Sequence, residues 1–385
     1  MNRAETRQGM RYTPLIALIS LAIMNYNAKG YFFAIFAFLY MLVYKKTFIR
    51  IDKKFVYLFF FGLAYMMFYY YNYGTIDISN LVYFLCIFPT FYLAGKGLAN
   101  NSLQNIDKIM FIMSLCIATI PIISILLDIN KAGFLVAERD LPIIGWGATP
   151  IAATSIASLL IVLCSYSTYI FSSTNNRTKY IYTALGIVGF ICALRLQSRT
   201  SIVCIALLFI INVYLNRDYM FKHKFSFLII FIILITGINY VINNYSDQLA
   251  IIERFQEDDI ATANGRTDLH SGTLTQILES PLGGNKHLTF AHNLFLDCAR
   301  VSGLVPLILL IIFTIKHYLT VFNILKRKQV PDILKYNITL ISLLLFVYFN
   351  TEPILEGVSM LFAYFCFIAG ITSKVEFQYR KKQIA

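Results

Sequence analysis

The chain has 385 residues, 58% of them hydrophobic and 14% charged, where an ordinary soluble domain carries about 25% charged residues. The apolar residues come in long blocks without polar alternation, which excludes an aqueous globular core and makes a bilayer the expected solvent. The 33 Lys and Arg against 20 Asp and Glu give a net charge of +13, but the basic residues cluster between apolar blocks, so the charge reads as a topology signal and not as the footprint of nucleic acid.

In chain order, the segment 1–12 places Arg3, Arg7 and Arg11 before an apolar run that no small-residue cleavage site follows, so the run is expected to be retained. Apolar blocks then fall at 13–26, 31–44, 55–71, 81–95, 109–127, 151–171, 180–194, 201–215, 225–242, 301–320, 337–350 and 357–373. Several are shorter than the ~20 residues that cross a hydrocarbon layer, so their helices should extend into flanking Tyr, Asn or Lys. The expected fold is all-α: a single polytopic membrane domain over 1–385 with about twelve transmembrane helices. Placing the N-terminus inside puts 24 of the 33 basic residues in inner segments or at their edges, which predicts cytoplasmic termini. On the outer side two loops are long, 128–150 and 243–292. In the second, Ile251, Ile252 and Phe255, then Leu274, Ile277 and Leu278, follow helical spacing, and Gly265, Pro281, Gly283 and Gly284 punctuate them. Two short helices lying on the membrane face would suit that pattern.

The outer arginines run against the general trend and carry the candidate chemistry. Arg139 is flanked by Glu138 and Asp140, and local pairing competes with a binding role. Arg195 and Arg199 lie in a hinge between two apolar blocks, RLQSRT; they either snorkel to headgroups or present guanidinium forks to a phosphate. Arg266, in NGRTD, stands at the expected start of a loop helix, where Thr267 or Asp268 can cap and an anion is favoured; a surface pair with a nearby Asp is the plain alternative. His292 opens HNLFLDCAR, where Asn293, Asp297 and Arg300 are spaced to share one helix face, with a self-neutralising Asp297–Arg300 pair as the alternative to a binding role. An imidazole there can act as a base or a donor near neutral pH. Glu352 and Glu356 occupy an outer turn, as a solvated turn, a second base or a sugar-binding edge. The seven cysteines include no CxxC and no zinc spacing, so they are read as packing residues; Walker, GxGxxG, HExxH and GxSxG motifs are missing.

Three segments carry a family likeness: Gln197-Ser198-Arg199-Thr200, the stretch from Gly265-Arg266 through Glu279-Ser280-Pro281-Leu282-Gly283-Gly284 to His292-Asn293-Leu294-Phe295-Leu296-Asp297, and the apolar run after Gly303. The chain resembles the bacterial O-antigen polymerase and O-antigen ligase superfamily, and its Pro-Gly turn, HN-x-x-LD stretch and Glu-Pro-x-x-Glu-Gly turn look more like the polymerase branch. The resemblance implies glycosyl transfer on the periplasmic face of the inner membrane from an undecaprenyl-diphosphate-linked oligosaccharide, with the 243–292 loop in the periplasm. It implies no cofactor and no metal, and leaves room for a chain-length regulator protein as partner. Arg199 and Arg266 would neutralise the diphosphate and His292 would orient or deprotonate the attacking hydroxyl. Arg139, Arg195, Asn293, Arg300, Glu352 and Glu356 would line the substrate. A ligase transferring glycan to lipid A core shares the leaving group, and a lipid-linked oligosaccharide flippase is the alternative from another class, although no internal repeat of the transporter kind is found.

Overall fold

The computed structural model describes residues 51–101, 266–287, 289–357 and 359–384, with isolated positions between 126 and 243. The chain divides into two compact units, Met1–Ile117 with Gly265–Ala385, and Ala118–Asn264. The architecture that follows is that of the first. Helix α1 spans Lys53–Tyr73; α2, Ile78–Val82, continues through a π-helical turn at Tyr83–Ile87 into α3, Phe88–Asn101. After the second unit come α4 (Arg266–Glu279), α5 (Leu294–Ser302), α6 (Leu304–Lys326), α7 (Asp332–Thr351), α8 (Ile354–Gly357) and α9 (Ser359–Ile384). Among the described residues there is no strand. Among the described residues three helices are long and apolar enough to cross a bilayer: Ile78–Ala99, Leu304–Lys326 and Leu334–Thr351. They correspond to the blocks at 81–95, 301–320 and 337–350; the first and third are extended at both ends, while the second begins three residues later, after Gly303, and runs on to Lys326. The blocks at 13–26 and 31–44 and those from 109 to 242 lie outside the described residues, apart from scattered positions.

Local chemistry sets the boundaries. Asp52 caps α1, accepting a hydrogen bond from the Phe55 N–H at 3.0 Å. Pro89 has no N–H to give to the carbonyl four residues back and its ring crowds that carbonyl, so the helix widens into the π turn just before it. Pro306 sits in the first turn of α6, where its missing N–H leaves no bond unmade. Glu352, extended at φ −137° before Pro353, ends α7.

The core is aromatic. Phe61, Phe84, Phe88, Phe313, Phe349, Phe362 and Phe365 are buried and meet mostly edge to face or tilted, as in the Phe88–Phe362 pair at 4.8 Å. Large apolar side chains also face outward, among them Phe59, Phe60 and Met67 on α1 and Ile308, Ile315, Leu319 and Phe322 on α6. Meanwhile His317, Ser342 and Thr372 are buried together, with the His317 Nε2 3.0 Å from the Ser342 hydroxyl. Apolar side chains outside, with buried polar groups such as His317 and Ser342 paired to each other inside, are the arrangement expected in lipid, where unpaired polar groups are costly. Helices α3 and α9 approach backbone to backbone at Gly95 and Gly370: a Cβ at Gly95 would stand 2.1 Å from the Phe367 carbonyl oxygen, and one at Gly370 would stand 2.0 Å from that of Tyr92.

Polar side chains gather at two ends. At one, the Asp52 carboxylate accepts from the Tyr92 hydroxyl at 2.8 Å, from Lys96 at 2.7 Å and from Ser373 at 3.0 Å, tying α1, α3 and α9. Burial pushes the Asp52 carboxyl up, but Lys96, the Phe55 amide and Tyr92 outweigh it and hold it below the usual range. Lys54 donates to Thr320 nearby. At the other end the loop after α1, the 280–293 loop and the α7–α8 turn come together. Within the 243–292 segment a helix forms over the expected Leu274, Ile277 and Leu278, but of these only Ile277 is buried, while Leu274 and Leu278 are 51% and 78% exposed. The Ile251–Phe255 stretch lies outside the described residues.

Candidate functional site

The site grows from the break between α5 and α6. Gly303, at φ +86°, ends α5 and opens α6, and residues 281–285 run back alongside it. Gly284 N–H donates to the Val301 carbonyl at 3.3 Å, Asn285 N–H to that of Arg300 at 3.0 Å, and Leu304 N–H to that of Pro281 at 2.9 Å. A Cβ on Gly303 would stand 2.5 Å from the Leu282 carbonyl carbon, so only glycine allows this approach at this φ. Helix α1 holds the strap from the side. Asn72 donates to the Leu282 carbonyl at 2.8 Å, and the Tyr73 hydroxyl accepts from the Lys286 N–H at 2.7 Å.

Arg300 is 0% exposed at the centre of this end. Its Nε donates to Asp297 Oδ1 at 3.4 Å, its Nη1 to the Asn285 carbonyl at 2.8 Å, and its Nη2 forms an ion pair with Glu356 of α8. Asp297 then reaches back to the loop: Oδ1 accepts from the Ala291 N–H at 2.8 Å and Oδ2 from the Asn293 N–H at 3.2 Å. The two bonds grip the backbone on either side of His292, which stands at φ +52°. A non-glycine residue in the left-handed region is uncommon and persists only where its surroundings fix it. Asn293 caps α5, its Oδ1 accepting from Phe295 and Leu296 N–H groups, and its Nδ2 donates to Asn350 at 3.2 Å. His292, Asp297, Arg300 and Glu356 are therefore linked as a chain of positioning contacts.

This differs from the expected face of Asn293, Asp297 and Arg300. Asn293 is the cap and not a face residue, because an Asx side chain satisfies the free N–H groups of the first turn better than it serves inside a helix. The Asp297–Arg300 contact is present, but Glu356 joins it. Arg300, expected to line the substrate, instead spends its guanidinium on two carboxylates and a carbonyl. Glu352 is half-buried beside Pro353, and it is Glu356 that reaches Arg300. Arg266 is the first residue of α4, with Asp268 in its first turn. Arg139, Arg195 and Arg199 lie outside the described residues. Cys298 and Cys366 are buried free thiols, while Cys86 on the π turn is exposed, unlike its expected packing role.

Sequence reasoning did not single out Lys286, Tyr69 or Tyr73. The Lys286 ammonium donates to the Tyr69 hydroxyl and lies 4.7 Å from the centroid of that ring. Burial is the largest influence and works against its charge, but the Tyr69 hydroxyl, Asp77 and Glu356 together outweigh it and hold the pKa above the usual lysine value. The i, i+4 spacing of Tyr69 and Tyr73 at the end of an apolar block was the signal available. Among the described residues no group of His, Cys, Asp or Glu converges to hold a metal ion.

Glu356 feels opposed influences: burial raises its pKa above the usual glutamate range, and Arg300 pulls the other way without cancelling the shift. A carboxyl raised by folding contributes its stability below the unfolded-state pKa and loses it as pH climbs through the folded value. The thermal stability of the wild type relative to Glu356→Gln is accordingly expected to be greatest near pH 4 and to shrink toward neutrality. Melting curves of both proteins in detergent across this range would check it; a gap that widens with pH would contradict the shift.

Neither a protein-family model nor a curated protein sequence matches the chain.

Proposed function

We propose that this protein is a polysaccharide polymerase of the O-antigen or capsular kind, a twelve-span glycosyltransferase of the bacterial inner membrane with both termini cytoplasmic. It joins undecaprenyl-diphosphate-linked oligosaccharide repeat units on the periplasmic face. The observation that carries the reading is His292 held at φ +52° by Asp297, at the end of the helices where the 280–293 loop and the α7–α8 turn come together. A strained backbone gripped on either side of the imidazole-bearing residue, beside buried ionic positioning groups, suits a base that must meet a hydroxyl in one orientation. The resemblance over 185–360 supplies the substrate class.

In this reading the acceptor hydroxyl of one repeat unit attacks the anomeric carbon of the growing glycan. The new C–O bond forms as the bond to the diphosphate oxygen breaks, and the diphosphate leaves with the electron pair. His292 takes the hydroxyl proton, and water later returns the imidazole to its neutral form. Arg266 offsets the charge that grows on the leaving diphosphate, a role that the resemblance gives to Arg199 as well.

Purified protein given lipid-linked repeat units alone is expected to build a ladder of products on a gel, and His292→Ala to lower its rate by about 10²–10⁴-fold, the usual share of a general base. Products only on added lipid A core would identify a ligase instead. If Arg199→Ala, Arg266→Ala and His292→Ala all left the surface chain-length distribution unchanged in cells, the catalytic reading would fail and a flippase would gain.

A further inference from the structure

We infer that Lys286 is an anion-contacting residue of this site, and that its target is the diphosphate of the lipid-linked donor. The inference rests on the proposed function for the identity of the anion and on the geometry for the residue. Arg300 lies closest to the centre but is fully buried, with its fork committed to Asp297, Glu356 and the Asn285 carbonyl. It is a positioning residue. Lys286 follows Asn285 directly and is exposed. Among the described residues its ammonium meets no carboxylate at ion-pair distance; its contacts are the hydroxyl and ring face of Tyr69.

That arrangement places a cation without a carboxylate in direct contact; Asp77 and Glu356 act on it only from a distance. A phenol accepts one of the three ammonium hydrogens and a ring face steadies the charge, leaving donors for an oxyanion. Tyr69 is itself fixed, buried and packed on Tyr65 and Tyr73, 6.5 Å and 4.8 Å away between centroids. The strap does not need the lysine side chain. It is fastened through the Lys286 backbone N–H, the Leu282 and Val301 carbonyls and Asn72. The side chain is thus spare for a ligand, and replacing it leaves the fastening in place.

The test uses the full chain in detergent or nanodiscs, with farnesyl diphosphate as probe and farnesol as its uncharged control. Wild type is expected to bind the diphosphate and not the alcohol. Lys286→Gln should weaken binding at least tenfold, the scale of one charge-assisted contact, while keeping the wild-type melting temperature, and Lys286→Arg should recover most of the loss. Inorganic pyrophosphate should compete and glucuronate should not; competition by glucuronate alone would mean a sugar carboxylate is the target and overturn the assignment. If wild type and Lys286→Gln bind the diphosphate equally, the Lys286 inference falls and the proposed function stands. If wild type does not bind it at all, both fall.

Discussion

Arg300→Met is expected to cost roughly 3–5 kcal/mol, the scale for removing one partner of a buried ion pair. Against a total stability of about 5–15 kcal/mol, that loss depletes the folded protein severely. The apolar replacement fills a similar volume, so the cost is not a cavity. It comes from Asp297 and Glu356, which lose the cation between them. Arg300→Lys should recover only part, because a single ammonium cannot span Asp297, Glu356 and the Asn285 carbonyl as a planar fork does. Adding Asp297→Asn and Glu356→Gln to Arg300→Met removes the stranded charges and should return part of the stability, though Asn at 297 no longer presents two acceptors to the loop. Fluorescence-detected gel filtration and melting curves in detergent check the series. A wild-type melting temperature for Arg300→Met would show that the guanidinium does not hold this end together.

The same triad shows how far the sequence could be read. Apolar blocks located the three described helices that can span a bilayer, because hydrophobic length acts on a whole segment. At the scale of single groups, Asp52, Lys96 and Ser373 meet at one end, and Asn72, Asn285 and Glu356 serve the opposite end. What joins one segment to another was not legible. Glu356 lies fifty-six positions from Arg300, and no local pattern announces their pairing. Asn293 was misplaced on a helix face since spacing alone does not say where a helix begins; the side chain's preference for capping decides it. Lys286 was passed over because its partner is an aromatic ring on α1 and not a neighbour in sequence. His292 was legible as a residue of interest, but its left-handed backbone depends on Asp297, which reaches it from inside α5.

Two glycines of helix interiors should respond to the same substitution with opposite signs. Gly272→Ala, in α4, places a Cβ where nothing lies within 4 Å. Alanine is the better helix former by about 0.8–1.0 kcal/mol, so the variant is expected to be as stable as wild type or slightly more so. Gly370→Ala, in α9, gains the same propensity but puts its Cβ 2.0 Å from the Tyr92 carbonyl oxygen and 2.9 Å from the Lys96 nitrogen of α3. These are backbone atoms and cannot rotate aside, so α9 must move bodily off α3. Overpacking of this kind costs about 1–3 kcal/mol and sometimes more, and a rigid obstacle places it at the upper end, beyond what propensity returns. The displacement would also loosen Ser373 from Asp52 and disturb Phe362 and Phe365 in the aromatic core, since both lie on the same helix. Melting temperature in detergent should therefore rise or hold for Gly272→Ala and fall for Gly370→Ala. A fall for both would mean glycine serves α4 by something other than conformational entropy, and no fall for Gly370→Ala would mean that α3 and α9 do not meet backbone to backbone as described.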